Sequence, residues 1–459
     1  MNESPPEHTQ IVVIGGGIMG CSTAYHLTKN GCRDVILLER AKLTSGTTWH
    51  SAAQVRQLRS TESLTRLVQH SVELYSSLEA ETGQATGWKQ TGSLSIATNP
   101  DRLTHIRRQA SLSRAFGIGA EDIPVAEASG KWPLMRSNDV IGAVHSPSDG
   151  RVSPSDICAA LVKGATSRGL RVFEDTPVTG IRTQNGRVAA VQTAQGEITC
   201  ESIINCAGLW GHRIAGMAGV AAPLHACEHF YLLTEPLDSI TEPLPTLSDH
   251  DGHLYLRDEG GGLLVGCFEP KGKPLDLEQL PEDFAFGLLP EDWEHLEPIL
   301  ANALHRVPEL EQIGMKMLST AQRVSHRMIA SCLENLQNCA DFSSVVGCVR
   351  WESPQAAGPD VCLPSGSCPE NRQWTSGRLM CGVSLWHKTR CGRSGNVPRK
   401  RWPCTMPSAF PDGNTKPPAI CGSARCTPDL KPLEPNSESA WAGNARVGSI
   451  RKSDRRPPN

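Results

Sequence analysis

No run of apolar residues in this chain is long enough to cross a bilayer, so a helical membrane protein is not expected. An excess of charge is missing too. The formal net charge is −3, and no Lys/Arg cluster sits beside aromatics in the first 300 residues, which removes the usual grounds for nucleic-acid binding. The leader, residues 1–10, is acidic and proline-bearing. It lacks both the apolar core of a secretory signal and the Arg-rich character of a transit peptide, so a soluble cytoplasmic protein is the expectation. Cys362/Cys368 and Cys421/Cys426 lack the C-x-x-C pairing of a structural zinc site, and no metal is expected. The seven cysteines before residue 318 are scattered, mostly in apolar segments, and read as buried thiols rather than a disulfide framework. No internal repeat is visible. At 459 residues the chain has room for two or three domains.

What is present begins at once. Ile11-Val-Val-Ile14 is a short buried strand, and Gly15, Gly17 and Gly20 follow in G-x-G-x-x-G spacing. The apolar period of residues 18–27 predicts a helix, and a second strand from Val35 ends at Glu39, about 20 residues past the glycines. Each part has a mechanical reason. Gly15 permits the tight strand-to-helix turn, Gly17 lets backbone approach a pyrophosphate, and Gly20 lets helix and strand pack closely. Phosphates sit at the helix N-terminus, where unpaired N–H groups favour negative charge. Glu39, with Arg40 beside it, can accept hydrogen bonds from an adenosine ribose. The alternative, a glycine turn in an unrelated α/β protein, leaves the order of strand, glycines, helix, strand and acid unexplained. The unit predicts dinucleotide binding.

Downstream, residues 60–80 read as an amphipathic helix, 92–97 as a strand, 100–116 as a polar helix and 150–169 as another helix. A small meander spans 171–198. Residues 203–210 form a buried strand ending at Gly208, then a helix, and strands follow around 231, 253–257 and 263–266, with a helix over 290–307. The fold class is therefore α/β, a Rossmann-like domain with an antiparallel-sheet substrate domain. In the loop Leu43-Thr-Ser-Gly-Thr-Thr-Trp-His-Ser-Ala-Ala53, small hydroxyl residues, Thr47 and Thr48 among them, let backbone lie against a phosphate or an isoalloxazine edge. His50 is either a polar loop histidine or a nucleophilic imidazole that tethers a flavin.

The loop Gly46–Ala53 with Gln57-Leu-Arg59, Glu81-Thr-Gly83, Thr86-Gly-Trp88, Gln90-Thr-Gly92, Asp149-Gly150, Asn205-Cys-Ala-Gly-Leu-Trp210, Tyr255-Leu-Arg257 and Phe284-Ala-Phe-Gly287 resembles the sarcosine and dimethylglycine dehydrogenases. Gln57-Leu-Arg59 and Phe284-Ala-Phe-Gly287 look more like the sarcosine branch. The resemblance runs from about residue 8 to about 318. It implies an FAD-dependent oxidiser of N-methylated glycine with the D-amino-acid-oxidase fold, its FAD held covalently through His50. It also implies that His229 and Tyr255 are polar groups near the flavin face, that Val178 clasps the adenine with strand backbone, and that electrons pass to an electron-transfer flavoprotein or to oxygen. The amine must be neutral for hydride to leave its methyl carbon, so a histidine or tyrosine near it can accept or orient a proton. A strand histidine satisfied by its neighbours and a tyrosine packed in the core are the plainer alternatives. Arg59 or Arg257 could bind the substrate carboxylate, or be structural. A regulatory flavoprotein like the pyruvate dehydrogenase phosphatase regulatory subunit is the second class; a nicotinamide-dependent dehydrogenase is disfavoured by the Trp49-His50 loop. The expected division is FAD binding in 8–95 and 150–222 and substrate binding in 96–149 and 223–317.

Composition shifts near residue 318. Ten of the 17 cysteines and none of the four tyrosines lie beyond it, and periodicity fades. The family continues with G-P-E-S-F-[ST]-P-D. Regrouping the possible codons of residues 320–328, third base with the next two, permits G-P-E-S-F-S-P-D, and two further stretches, 333–347 and 436–445, yield family-like strings in the same register. The expectation is that 318–459 is an out-of-frame tail, disordered for want of apolar surface, and that the family's tetrahydrofolate-binding domain is absent.

Overall fold

The computed structural model describes residues 4–59, 62–220, 222, 224–326 and 348–350. Its first sheet is built on the opening strand His8–Ile14, which lies parallel to both Val35–Leu38 and Gly196–Cys206. Arg171–Phe173 extends it in parallel beyond Val35–Leu38. On the other side Arg187–Thr193 and Val178–Gln184 add antiparallel strands, the expected meander. Cys348–Arg350 also pairs with Gly196–Cys206, antiparallel.

The central strands are apolar throughout because both faces are covered. Val13, Val35 and Leu37 pack under the helices Ile18–Lys29 and Pro154–Thr166 through Ala24, Leu27, Ile157 and Leu161. Val12, Ile36 and Leu38 face Leu209, Ile214 and Ala215 on the opposite side. The helix at Glu62–Thr82 closes the first layer with Val68, Leu74 and Leu78.

The second sheet has eight strands in the order Met315–His326, Leu224–Thr234, Gly262–Cys267, Leu254–Glu259, Thr246–Asp249, Ser93–Ala97, Gly142–Ser146, Glu121–Ile123. It is antiparallel except where Thr246–Asp249 runs parallel to Ser93–Ala97. Strand alternation splits its side chains between two environments. Phe230, Leu232, Leu256 and Val265 pack with Leu296, Ile299 and Ala303 of the helix Trp293–Arg306. Tyr231, Tyr255 and Leu264 point the other way and meet Ala52, from the loop after the glycine unit. That second face is where the second sheet meets the loop after the glycine unit.

Met315–His326 pairs with Leu224–Thr234 across residue 318, from Met315 opposite Thr234 to His326 opposite Leu224. Residues 318–326, expected to open a disordered tail, are instead ordered in this strand because its ladder with Leu224–Thr234 satisfies their backbone; beyond His326 the tail lies outside the described residues, apart from 348–350. No described helix is long and apolar enough to cross a membrane.

Candidate active site

The glycine turn is closed by contacts that only glycine allows. Gly15 has φ +111°, and a Cβ on it would lie 2.4 Å from the Cys206 carbonyl oxygen. A Cβ on Gly20 would lie 1.7 Å from the Gly15 carbonyl oxygen, so helix and strand approach as the spacing predicts. Gly17 caps the helix Ile18–Lys29 without a side-chain hydrogen bond, and no acidic residue stands in the first turn. The positive helix end thus meets no carboxylate of its own first turn, as an anionic pyrophosphate requires. Thr48 closes the approach: its Oγ1 accepts the Ile18 N–H at 3.1 Å.

Glu39 is buried against this turn. Its two carboxylate oxygens accept the Gly16 N–H at 2.6 Å and the Ala41 N–H at 3.0 Å. Burial pushes its carboxyl pKa up, against the pull of those backbone donors. Each oxygen keeps a lone pair for a ribose hydroxyl. Arg40 has protein partners of its own. Its guanidinium stacks over Trp210 at 4.2 Å and donates to the carbonyls of Glu282 and Phe284. Here it clamps the 281–287 segment over the loop, a role the sequence pattern did not suggest. The Phe286 N–H donates to the Ser45 carbonyl at 2.9 Å, and its ring meets Trp49 edge-on at 6.0 Å. Val178 opens its strand half-buried, Thr47 is half-buried in the loop, and Gly208 turns with φ +51° into the short helix Gly208–Trp210.

His50 is buried beside Trp49, edge-on at 5.3 Å, and its Nε2 has no hydrogen-bond partner. Burial, with His229 nearby, lowers its pKa to about 4. At neutral pH the ring is uncharged, and in its Nδ1–H tautomer the Nε2 lone pair is the one a nucleophilic imidazole uses. An unsatisfied buried nitrogen is costly unless something fills it.

His229 and Tyr255 are brought together. His229 Nε2 lies 3.2 Å from the Tyr255 hydroxyl, and the two rings stack at 6.2 Å. On its other side His229 Nδ1 lies 2.8 and 3.0 Å from the two carboxylate oxygens of Glu269. Sequence reasoning passed over Glu269, which follows the strand Gly262–Cys267 and is 40 residues from His229. Burial alone would raise its pKa, but the charge and hydrogen bond of His229, with Arg323, hold it below the usual value. Tyr255 is fully buried, and burial pushes its hydroxyl well above the usual phenol range. Arg257 is committed to structure: its Nε donates to the Ala52 carbonyl at 2.8 Å, tying the second sheet to the His50 loop, and Nη1 pairs with Glu259. Arg59 is buried, with its backbone N–H donated to Thr65 Oγ1 at 3.1 Å.

The model of the family described as DAO, FAD dependent oxidoreductase, matches residues 10–328. The chain is 42% identical to mitochondrial sarcosine dehydrogenase of Mus musculus over 317 residues, 68% of this chain and 34% of that protein. It is 36% identical to the mitochondrial pyruvate dehydrogenase phosphatase regulatory subunit of Mus musculus, over 77% of this chain and 38% of that one. The chain therefore spans about a third of the length of the curated relatives it matches. Among solved structures, L-proline dehydrogenase from P. horikoshii superposes with a TM-score of 0.63 at 27% identity, covering 70% of this chain and 83% of that one.

Proposed function

Because the chain belongs to the DAO family of FAD-dependent oxidoreductases, we propose that it is the flavin-bearing core of an enzyme that oxidatively demethylates sarcosine or dimethylglycine. The observation that carries this reading is the buried His229–Tyr255 pair, which stands on the sheet face that meets the His50 loop. FAD, when bound, supplies the acceptor for a hydride from the substrate's N-methyl carbon. The residues present suit it: the open helix end at Gly15, Gly17 and Gly20 for the pyrophosphate, Glu39 for the ribose, Val178 for the adenine, and Thr47, Thr48 and Gly208 for the loops around it. His50, neutral and with a vacant Nε2, is the covalent attachment point.

The chain's own chemistry is the handling of a proton. N-methylglycines are ammonium ions in water, and only the neutral amine can release hydride as it becomes an iminium. Tyr255 and His229 accept that proton and orient the lone pair. The dry face formed by Tyr231, Leu264, Phe268 and Ala52 keeps water from the reacting carbon. Electrons then leave to an electron-transfer flavoprotein or to oxygen.

FAD binding is assigned to residues up to about 95 with 150–222, and substrate binding to about 96–149 with 223–317. The sequence after about 318 is read as out of frame, leaving the flavin domain without its last elements. The likeness to a phosphatase regulatory subunit supports a second reading, a flavoprotein that regulates rather than catalyses; the retained His50, His229 and Tyr255 favour the enzyme. A frame-restored protein offered sarcosine and dimethylglycine tests this. Formaldehyde release, or methyl transfer to a folate, from either substrate supports the enzyme, and its absence with both favours the regulator.

A further inference from the structure

Glu269 has a buried carboxylate with an unusual set of partners. Its Oε1 accepts the Phe230 N–H at 3.0 Å and lies 3.5 Å from the Cys267 thiol, while both oxygens face His229 Nδ1. The carboxylate comes from the segment after Gly262–Cys267 and the histidine from Leu224–Thr234, and these strands pair directly. An ionised carboxylate only accepts hydrogen bonds, so Nδ1 must carry the proton. A neutral imidazole then has its lone pair on Nε2, and the group within reach there is the Tyr255 hydroxyl.

We propose that Glu269 is a positioning residue: it fixes His229 in the Nδ1–H tautomer, so that Nε2 draws the Tyr255 proton and turns the phenol oxygen's lone pairs toward the substrate amine. This deepens the reading of the site as an amine oxidoreductase and rests on it. The proton balance closes within the three side chains. As the substrate ammonium N–H breaks, an O–H bond forms at Tyr255. The original Tyr255 O–H breaks as an N–H forms at His229 Nε2, and the resulting imidazolium is paired with the Glu269 carboxylate. The other titratable groups felt here are His50, Arg323, Cys267 and Tyr231. His50 and Arg323 are cationic when protonated, Arg323 belonging to the stretch read as out of frame, while burial raises the Cys267 thiol and the Tyr231 phenol so that both stay neutral. The Glu269 anion is what makes an imidazolium at His229 tolerable in a buried site.

The test reads the tautomer without turnover. In frame-restored protein labelled with 15N-histidine, His229 is assigned by loss of its signals in His229→Gln. In the neutral ring the expected spectrum has a protonated Nδ1 and an unprotonated Nε2, read from the basic limb of the same spectra. Glu269→Met, which offers Nδ1 no acceptor, should take most of the population out of the Nδ1–H tautomer. Glu269→Asp, which keeps an acceptor, should restore at least part of it, with melting temperatures recorded for each variant. A neutral ring protonated on Nε2 in the unsubstituted protein, or an unchanged tautomer in a folded Glu269→Met, overturns the proposal. The first outcome is decisive even if the variants do not fold. In flavin-loaded, frame-restored protein, Glu269→Met should slow flavin reduction by about a hundredfold, the lower end of what a positioned base contributes, with little change in KM. A correct tautomer in a protein inert to every N-methylated glycine would leave the positioning role standing and remove the enzymatic reading instead.

Discussion

Tyr255 lies across the neighbouring strand in the space where Gly266 has no side chain. A Cβ on Gly266 would sit 1.9 Å from the Tyr255 Cζ and 2.3 Å from its hydroxyl oxygen. The two residues are register partners in adjacent antiparallel strands, and Tyr231 is the partner of Gly266 on the other side. Glycine within an otherwise apolar strand is here the device that lays the phenol flat toward His229.

Gly266→Ala should therefore displace the ring and break the His229–Tyr255 contact. Overpacking of this kind costs about 1–3 kcal/mol. A lower melting temperature and flavin reduction slowed by about tenfold, with FAD still bound, are expected in frame-restored protein. If both quantities match the unsubstituted protein, Tyr255 is not held by Gly266.

His50→Ala should release the flavin. Acid-precipitated, flavin-loaded protein should stay yellow, whereas the variant's pellet should be colourless and its supernatant fluorescent. Colour lost from the unsubstituted protein on precipitation would remove the tether while leaving FAD binding intact.

Stability should fall on acidification. Burial holds His50 and His26 at about 4 and His250 at about 3, below the ordinary 6.5. Above about pH 6.5 these rings are neutral in both folded and unfolded chains and contribute nothing to the pH dependence. Between about 6.5 and 4 the unfolded chain takes up protons that the folded one refuses, so folding loses on the order of 3 kcal/mol per ring by pH 4. Glu39, whose carboxyl is raised by burial, runs weakly against this trend. Denaturant melts at about pH 7 and about pH 5 should differ accordingly, and His26→Gln should flatten the slope. Stability that is level or rising as pH falls through this range contradicts the assignment.

Much of this site was legible in the sequence, for reasons that differ by residue. The glycine unit is local: its strand, turn, helix and acid lie within residues 11–39, and the backbone demands of Gly15 and Gly20 act inside that window. His229 and Tyr255 were found through family resemblance, since nothing in the spacing of residues 26 apart shows that they touch. Glu269 was missed because a single carboxylate before Pro270 looks like a solvated loop residue; only pairing of the 224–234 and 262–267 strands buries it against His229. Gly266 carried a signal that could have been used, a glycine inside a strand pattern. The short strands Glu121–Ile123 and Gly142–Ser146 have too few residues to show a period, and the parallel pairing of Ser93–Ala97 with Thr246–Asp249 joins segments about 150 residues apart.

The proposed change of reading frame makes a separate prediction. DNA covering codons 320–328 should regroup to spell G-P-E-S-F-S-P-D, and protein made from the chain as written should be poorly soluble or free of flavin, because an apolar sheet face loses its cover. Codons that cannot be regrouped in this way would end that account of the tail.

The central claim is that this fold oxidises an N-methylated glycine. Anaerobic mixing of flavin-loaded, frame-restored protein with sarcosine or dimethylglycine, followed by flavin absorbance, tests it most directly. With at least one of the two, the yellow band should bleach, and Tyr255→Phe and His229→Ala should each slow the bleaching without loss of FAD. A flavin that stays oxidised with both amines, in protein shown to hold FAD, contradicts the account.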